Sequence, residues 1–262
     1  MKIDKVCIIG IFFSLFLLTG CGSDESEPST PPGPQPSEVE YPEVSEDQRV
    51  SITTSLQNKD HVQICAHRGY WKDAPENSVK AVTLAIENQI DMIELDVRTS
   101  KDGEMVLMHD ATIERPTNGT GKVSDIDVKI SDYIAVYNLV KRYGMLSQVL
   151  FTVYDVSTAR KVINLDRNAI LLPVIYEMQD MENYLAVCKP LPVAQFNSAA
   201  FTEDILAKAS GNGVSLFKNI YINTSITPTS DNYKQVKAFL AKQGSIIQTD
   251  YPVELKEYLK NN

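Results

Sequence analysis

The chain has 262 residues, 43% of them hydrophobic, and a formal net charge of −9. It is long enough for one α/β domain with a substantial core. The acidic balance argues against nucleic acid and against charge-driven adhesion to anionic lipid, which leaves a small molecule as the expected partner.

In chain order, Met1 to Lys5 carries two lysines, and Val6 to Leu18 is an almost unbroken apolar run that ends at Leu18-Thr19-Gly20-Cys21. This is the pattern of a signal peptide. As a helix, such a run reaches only about 20 Å, short of the roughly 30 Å hydrocarbon core, so removal is expected rather than a permanent span. The residues before Cys21 resemble a bacterial lipobox. That resemblance implies cleavage before Cys21, lipid on Cys21 and a membrane anchor at the new N-terminus; ordinary secretion is the alternative. The Pro/Ser/Glu-rich stretch that follows has too few large apolar residues to pack. Its acidic start is similar to the surface-export signals of some Bacteroidetes-type lipoproteins, although acidic linkers commonly serve solvation alone. The expected organisation is residues 1–20 as signal peptide, 21–48 as lipidated Cys and disordered tether, and 49–262 as one folded domain.

Within that domain, apolar strand-like runs recur at Val62 to Ala66, Met92 to Val97, Ile126 to Val128, Val149 to Val153, Ile170 to Ile175, Val193 to Phe196, Ile220 to Ile222 and Ser245 to Gln248. Helical patterns occupy Asn77 to Asn88, Ser131 to Gly144, Ser157 to Leu165, Met178 to Val187, Thr202 to Ser210, Asp231 to Lys242 and Val253 to Leu259. Eight βα-type units predict a TIM (β/α)8 barrel, with a doubly wound open sheet as the structural alternative. One unit breaks the alternation. Met105 to Met108 follows the second strand after a short Asp-Gly-containing turn, which fits a hairpin. From His109 to Ile126 no amphipathic window appears, so the barrel is expected to lack its second helix. Cys65 and Cys188 lie in or beside apolar segments, as a disulfide or as two buried thiols.

Candidate chemistry gathers at the ends of these runs. Glu94 and Asp96 stand two apart on a strand and project from one face. Either a hard cation such as Mg2+ or Ca2+ lies between them, or a Lys or Arg neutralises them. His67, followed by Arg68 and Gly69, and His109 sit at the ends of separate runs. Imidazoles titrate near neutrality, so one can take a proton from an attacking hydroxyl while the other protonates a leaving alkoxide. Asp127 and Lys129 repeat the two-apart geometry: Asp127 as a further metal ligand and Lys129 against a phosphoryl oxygen, or the two as a salt bridge. Glu76 lies on the first βα loop, near enough to position a ligand or metal. Asn77 reads as a helix N-cap. Tyr70 and Trp71 wall a pocket or cap the barrel, and His61 has no assigned role.

The ordered set of His67-Arg68-Gly69, Pro75-Glu76-Asn77-Ser78, Glu94-Leu95-Asp96-Val97, Met108-His109-Asp110, Asn118-Gly119-Thr120-Gly121, Asp127-Val128-Lys129, Asn223-Thr224 and Thr249-Asp250-Tyr251-Pro252 resembles the glycerophosphodiester phosphodiesterases of the PLC-like phosphodiesterase group. The resemblance runs from Val62 nearly to the C-terminus. It implies a divalent cation held by Glu94, Asp96 and Asp127, His67 and His109 as the acid/base pair, and Arg68, Glu76 and Lys129 on the substrate. The implied reaction is hydrolysis of a glycerophosphodiester to an alcohol and glycerol 3-phosphate. The alternative is a non-catalytic surface lipoprotein that binds such diesters. The lipobox resemblance and the acidic start after Cys21 imply a location at the envelope of a Gram-negative bacterium, at its outer membrane or cell surface. The chain departs from the family pattern in carrying Asp127 where Glu is common, and in lacking a few dozen residues before Ile126. The shortened segment leaves an apolar strip to be covered by a loop, the linker or self-association.

Overall fold

The computed structural model describes residues 8–12, 53–100, 104–110, 112, 115, 133–220 and 230–262; for 8–12 and 230–232 only the backbone is described. The strands are β1 (Ile8–Phe12), β2 (Gln63–Ala66), β3 (Met92–Thr99), β4 (Met105–Leu107), β5 (Val149–Val153), β6 (Ile170–Ile175), β7 (Val193–Phe196), β8 (Ser215–Asn219) and β9 (Ile246–Thr249). The helices are α1 (Val79–Glu87), α2 (Tyr133–Arg142), α3 (Val156–Leu165), α4 (Met178–Val187), α5 (Glu203–Gly211), α6 (Ser230–Ala241) and α7 (Pro252–Lys260).

Eight parallel strands close a ring in the order β1-β5-β6-β7-β8-β9-β2-β3, because β3 pairs back onto β1. The antiparallel strand β4 hangs from β3 as a hairpin. This is the expected TIM barrel, and among the described residues no helix lies between β4 and α2. Strands β5 and β6 are buried at every position, as expected of strands covered on both faces. Inside the ring, alternate residues of seven strands (among them Cys65, Met92, Leu150, Leu172, Val193 and Phe217) form one cluster, with Leu56 of the helical turn at 53–57 sealing its lower end. The opposite strand faces pack on the helices in a second, larger cluster. Cys65 and Cys188 are buried and not joined in a disulfide, and burial pushes the Cys188 thiol up to about 11. Among the described residues no helix is long and apolar enough to cross a membrane.

Two expectations are corrected. The strand placed at Ile220 to Ile222 lies earlier, at Ser215–Asn219, in register with Val193 to Gln195 on one side and with Ile246 to Gln248 on the other. Ser215 and Lys218 interrupt the apolar run there, yet Ser215 and Phe217 are both buried. The slot between β3 and β5, expected to hold Ile126 to Val128, is filled by β1. Ile8 to Phe12 align with Met92 to Asp96, and Ile9 to Ile11 with Val149 to Phe151. An apolar, β-branched pentapeptide satisfies both edges of that gap. Residues 126–128 lie outside the described set, as do Cys21, the 21–48 tether and the loop at 118–121.

Candidate active site

The inward-facing positions change from apolar to polar toward the C-terminal ends of the strands. Two residues above the apolar layer stand His67, Glu94, Thr152, Gln195, Asn219 and Gln248, and two further on stand Asp96 and Asp250. This is the barrel end at which TIM-barrel sites are built.

The turn after β2 depends on its own sequence. Arg68 and Gly69 both adopt positive φ, 58° and 82°. A Cβ on Gly69 would lie 2.8 Å from the Ala81 side chain, because the Tyr70 N–H donates to the Ala81 carbonyl at 3.0 Å. Only glycine lets α1 approach this closely. The turn leaves His67 7% exposed, with Nδ1 2.7 Å from Asp250 Oδ1 and Nε2 3.9 Å from Glu94 Oε2. The Arg68 backbone N–H donates to Glu94 Oε2 at 2.9 Å, and its guanidinium lies against Glu76 at 3.0 Å and Asp96 at 3.3 Å.

His109, beside the hairpin strand as expected, has Nδ1 2.7 Å from Asp110 Oδ1. Its backbone is fixed by Arg98, whose Nε donates to the Met108 carbonyl at 2.9 Å and whose Nη2 donates to the His109 carbonyl. Arg115 donates to both oxygens of Glu76, at 2.8 and 2.7 Å, and to Asp110. Burial opposes ionisation of Asp110, but hydrogen bonds from Arg115 and His109 prevail and hold it at about 2. Glu76 is likewise held low against burial, first by Arg115 and then by Arg68. Thus Glu76 anchors two arginines, and Arg68 is half committed to carboxylates.

Burial, reinforced by the neighbouring Asp96, pushes the Glu94 carboxyl well above its ordinary range. Its Oε1 has no donor, and the same holds for buried Thr152 Oγ1, Gln195 Oε1, Asn219 Oδ1 and Asp250 Oδ2. Five oxygen atoms aimed into one mouth without a protein donor mark a place that demands donors or a cation. Glu94 and Asp96 therefore fit a hard divalent ion. Among the described residues they form no three-ligand cluster, and the expected third ligand, Asp127, lies outside those residues together with Lys129.

Asn77 was expected to cap α1; Ser78 does so, accepting from the Ala81 N–H at 3.1 Å. Asn77 instead clasps Asp96: its Nδ2 donates to Oδ2 at 2.9 Å and its Oδ1 accepts from the Asp96 N–H at 2.9 Å. The roles of Asn77, Arg98, Arg115 and Asp250 were not read from the sequence. A carboxylate directly after the last strand was the one available signal for Asp250; the others act across the fold. His61 pairs with Asp91 at 2.9 Å away from the site.

Fold and site together define a (β/α)8 barrel that carries two carboxylate-paired histidines and a carboxylate pair at the C-terminal ends of its strands. Residues 67–169 match the glycerophosphoryl diester phosphodiesterase family. The chain is 47% identical over 66 residues to a glycerophosphodiester phosphodiesterase of Caldanaerobacter subterraneus, covering 25% of this chain and 27% of that protein. Over 71 residues it is 45% identical to bovine (Bos taurus) glycerophosphodiester phosphodiesterase 1, covering 27% of this chain and 22% of that protein. The matched stretch thus spans about a quarter of these curated relatives. The crystal structure of a glycerophosphoryl diester phosphodiesterase from Parabacteroides distasonis superposes with a TM-score of 0.71 at 20% identity, covering 84% of this chain and 93% of that one, which shows the same fold.

Proposed function

We propose that the protein is an enzyme that hydrolyses glycerophosphodiesters to an alcohol and glycerol 3-phosphate, by acid–base catalysis at His67 and His109 with a divalent cation. The observation that carries this reading is the pairing of both imidazoles, through Nδ1, with a carboxylate at 2.7 Å. Such a bond fixes the tautomer and leaves Nε2 to exchange protons with substrate. The glycerol hydroxyl attacks phosphorus, one histidine takes its proton, and the other protonates the departing alkoxide; water then opens the cyclic ester by the reverse roles. Glu94 and Asp96, with Asp127, would hold Mg2+ or Ca2+, which supplies charge stabilisation at the phosphoryl oxygens. In this scheme Arg68 and Lys129 would contact the phosphate.

The test is release of glycerol 3-phosphate from glycerophosphocholine, with and without chelator. Turnover restored by a divalent cation, and reduced roughly 10²- to 10⁴-fold by His67→Ala, is the expected result. No turnover with any divalent cation overturns the proposal.

We further propose that Cys21 carries lipid and holds the protein at the envelope, facing a small-molecule substrate, with self-association over the face left by the shortened segment. Cleavage before Cys21 would remove β1, so lipid attachment and β1 pairing are alternative fates of one chain. Mass spectrometry of the cell-derived protein separates them: a lipidated N-terminal Cys21 supports anchoring, and an intact Met1 end overturns it.

A further inference from the structure

Two aromatic residues at the mouth have no part in the chemistry above. Tyr154 follows β5 and Tyr176 follows β6 directly. By strand alternation Tyr154 shares the inward side with Leu150 and Thr152, and Tyr176 shares it with Leu172 and Val174. They are therefore the uppermost inward residues of their strands. Unlike the residues beneath them they remain open, at 37% and 47% exposure. In the ring, β6 lies four places from β2, directly across the mouth from His67, and β5 is its neighbour. Among the described residues no Lys or Arg stacks on either ring.

Each tyrosine precedes an acid that is tied to a helix start. Asp155 caps α3 through the Thr158 N–H at 2.8 Å, and Glu177 opens α4 in a capping box with Asp180. The caps hold the two rings at the rim and leave negative charge beside them. Burial, followed by the neighbouring Glu94 and Tyr176, raises the Tyr154 hydroxyl above its ordinary range. The two sides of the mouth differ: on the β2 to β4 side Arg68 and Arg115 stand among the carboxylates they pair with, and opposite them stand the two aromatic faces beside Asp155 and Glu177.

We propose that Tyr154 and Tyr176 form the subsite for the alcohol moiety of the substrate, and that it selects a quaternary ammonium alcohol over neutral and polyol headgroups. A quaternary ammonium diester fits this arrangement: its phosphate at the histidines, its ammonium over the open aromatic faces beside the acids. The proposal rests on the phosphodiesterase reading above.

The test uses the full chain with glycerophosphocholine and its uncharged isostere, the glycerophosphate ester of 3,3-dimethylbutanol. The choline ester is expected to have about tenfold higher kcat/KM, the scale of a partly desolvated cation–π contact. That ratio should fall toward one in Tyr154→Leu and in Tyr176→Leu and persist in Tyr154→Phe, which keeps the ring. A ratio near one in the parent, or one unmoved by the leucine variants, overturns the subsite while leaving the enzyme reading intact. If neither ester is hydrolysed, the enzyme reading fails alone. The subsite is then decided by calorimetry with the same two esters: tighter binding of the choline ester supports it, and equal Kd values overturn it.

Discussion

His67 acts through Asp250. The carboxylate on Nδ1 decides which nitrogen carries the proton, so Asp250→Asn is expected to lower kcat by about 10²-fold or more, within the range of about 10⁴ for such an acid. It should also displace one limb of the pH–rate profile. A merely structural aspartate would lower the melting temperature without moving that limb. Arg115 plays a comparable part for His109, by way of Asp110 and Glu76. Asp110 is held at about 2 in the folded protein and titrates near 3.9 when unfolded. A depressed carboxyl contributes stability that is complete above its unfolded pKa and lost as pH falls through its folded value. Arg115→Ala should therefore show its full deficit above about pH 4 and converge on the parent near pH 2. Because Arg115 is half exposed, the deficit should be at most about 1 kcal/mol. Urea unfolding at several pH values checks this, and a deficit independent of pH would remove the ion pairs as its cause.

Among elements, the β2–α1 turn is the most tightly specified. Gly69→Ala forces a side chain into the left-handed region and against Ala81, and is expected to destabilise by about 2 kcal/mol. Thermal unfolding reads this directly, and a melting temperature equal to the parent's would contradict the close approach. The helices were legible because each repeats apolar residues against one face: α4 lies at Met178–Val187, where the pattern placed it. Strand β8 was not. Its polar Ser215 is buried between neighbouring strands on both sides, which no local pattern records. Of the site, His67, His109, Glu94 and Asp96 were legible because polar residues closing apolar runs are conspicuous. Asn77 was misread because an Asn before a helix has an ordinary local use. Only the register of β3 shows that its partner is Asp96.

At the scale of the whole molecule, β1 completes the ring. It gives β3 and β5 a common neighbour, and without it two strand edges would stand unpaired. A chain beginning at Cys21 is accordingly expected to melt several degrees below the full chain and to associate as its concentration rises. Light scattering and thermal unfolding of the two forms test this; identical behaviour would show that another segment fills the slot. The expectation of a removable leader rests on the lysines of Met1 to Lys5 and the Leu18-Thr19-Gly20-Cys21 end as well as on apolarity, and apolarity by itself serves a membrane and a barrel wall equally well. The ring has one more consequence, which concerns time. His67 leaves β2, and the carboxylate that orients it leaves β9, 183 positions later. A chain still emerging from the ribosome, or one clipped between these strands, can own every other site residue and yet leave His67 without its carboxylate. If His67 serves turnover as proposed, activity is expected only once β9 docks, and turnover would then report completed folding.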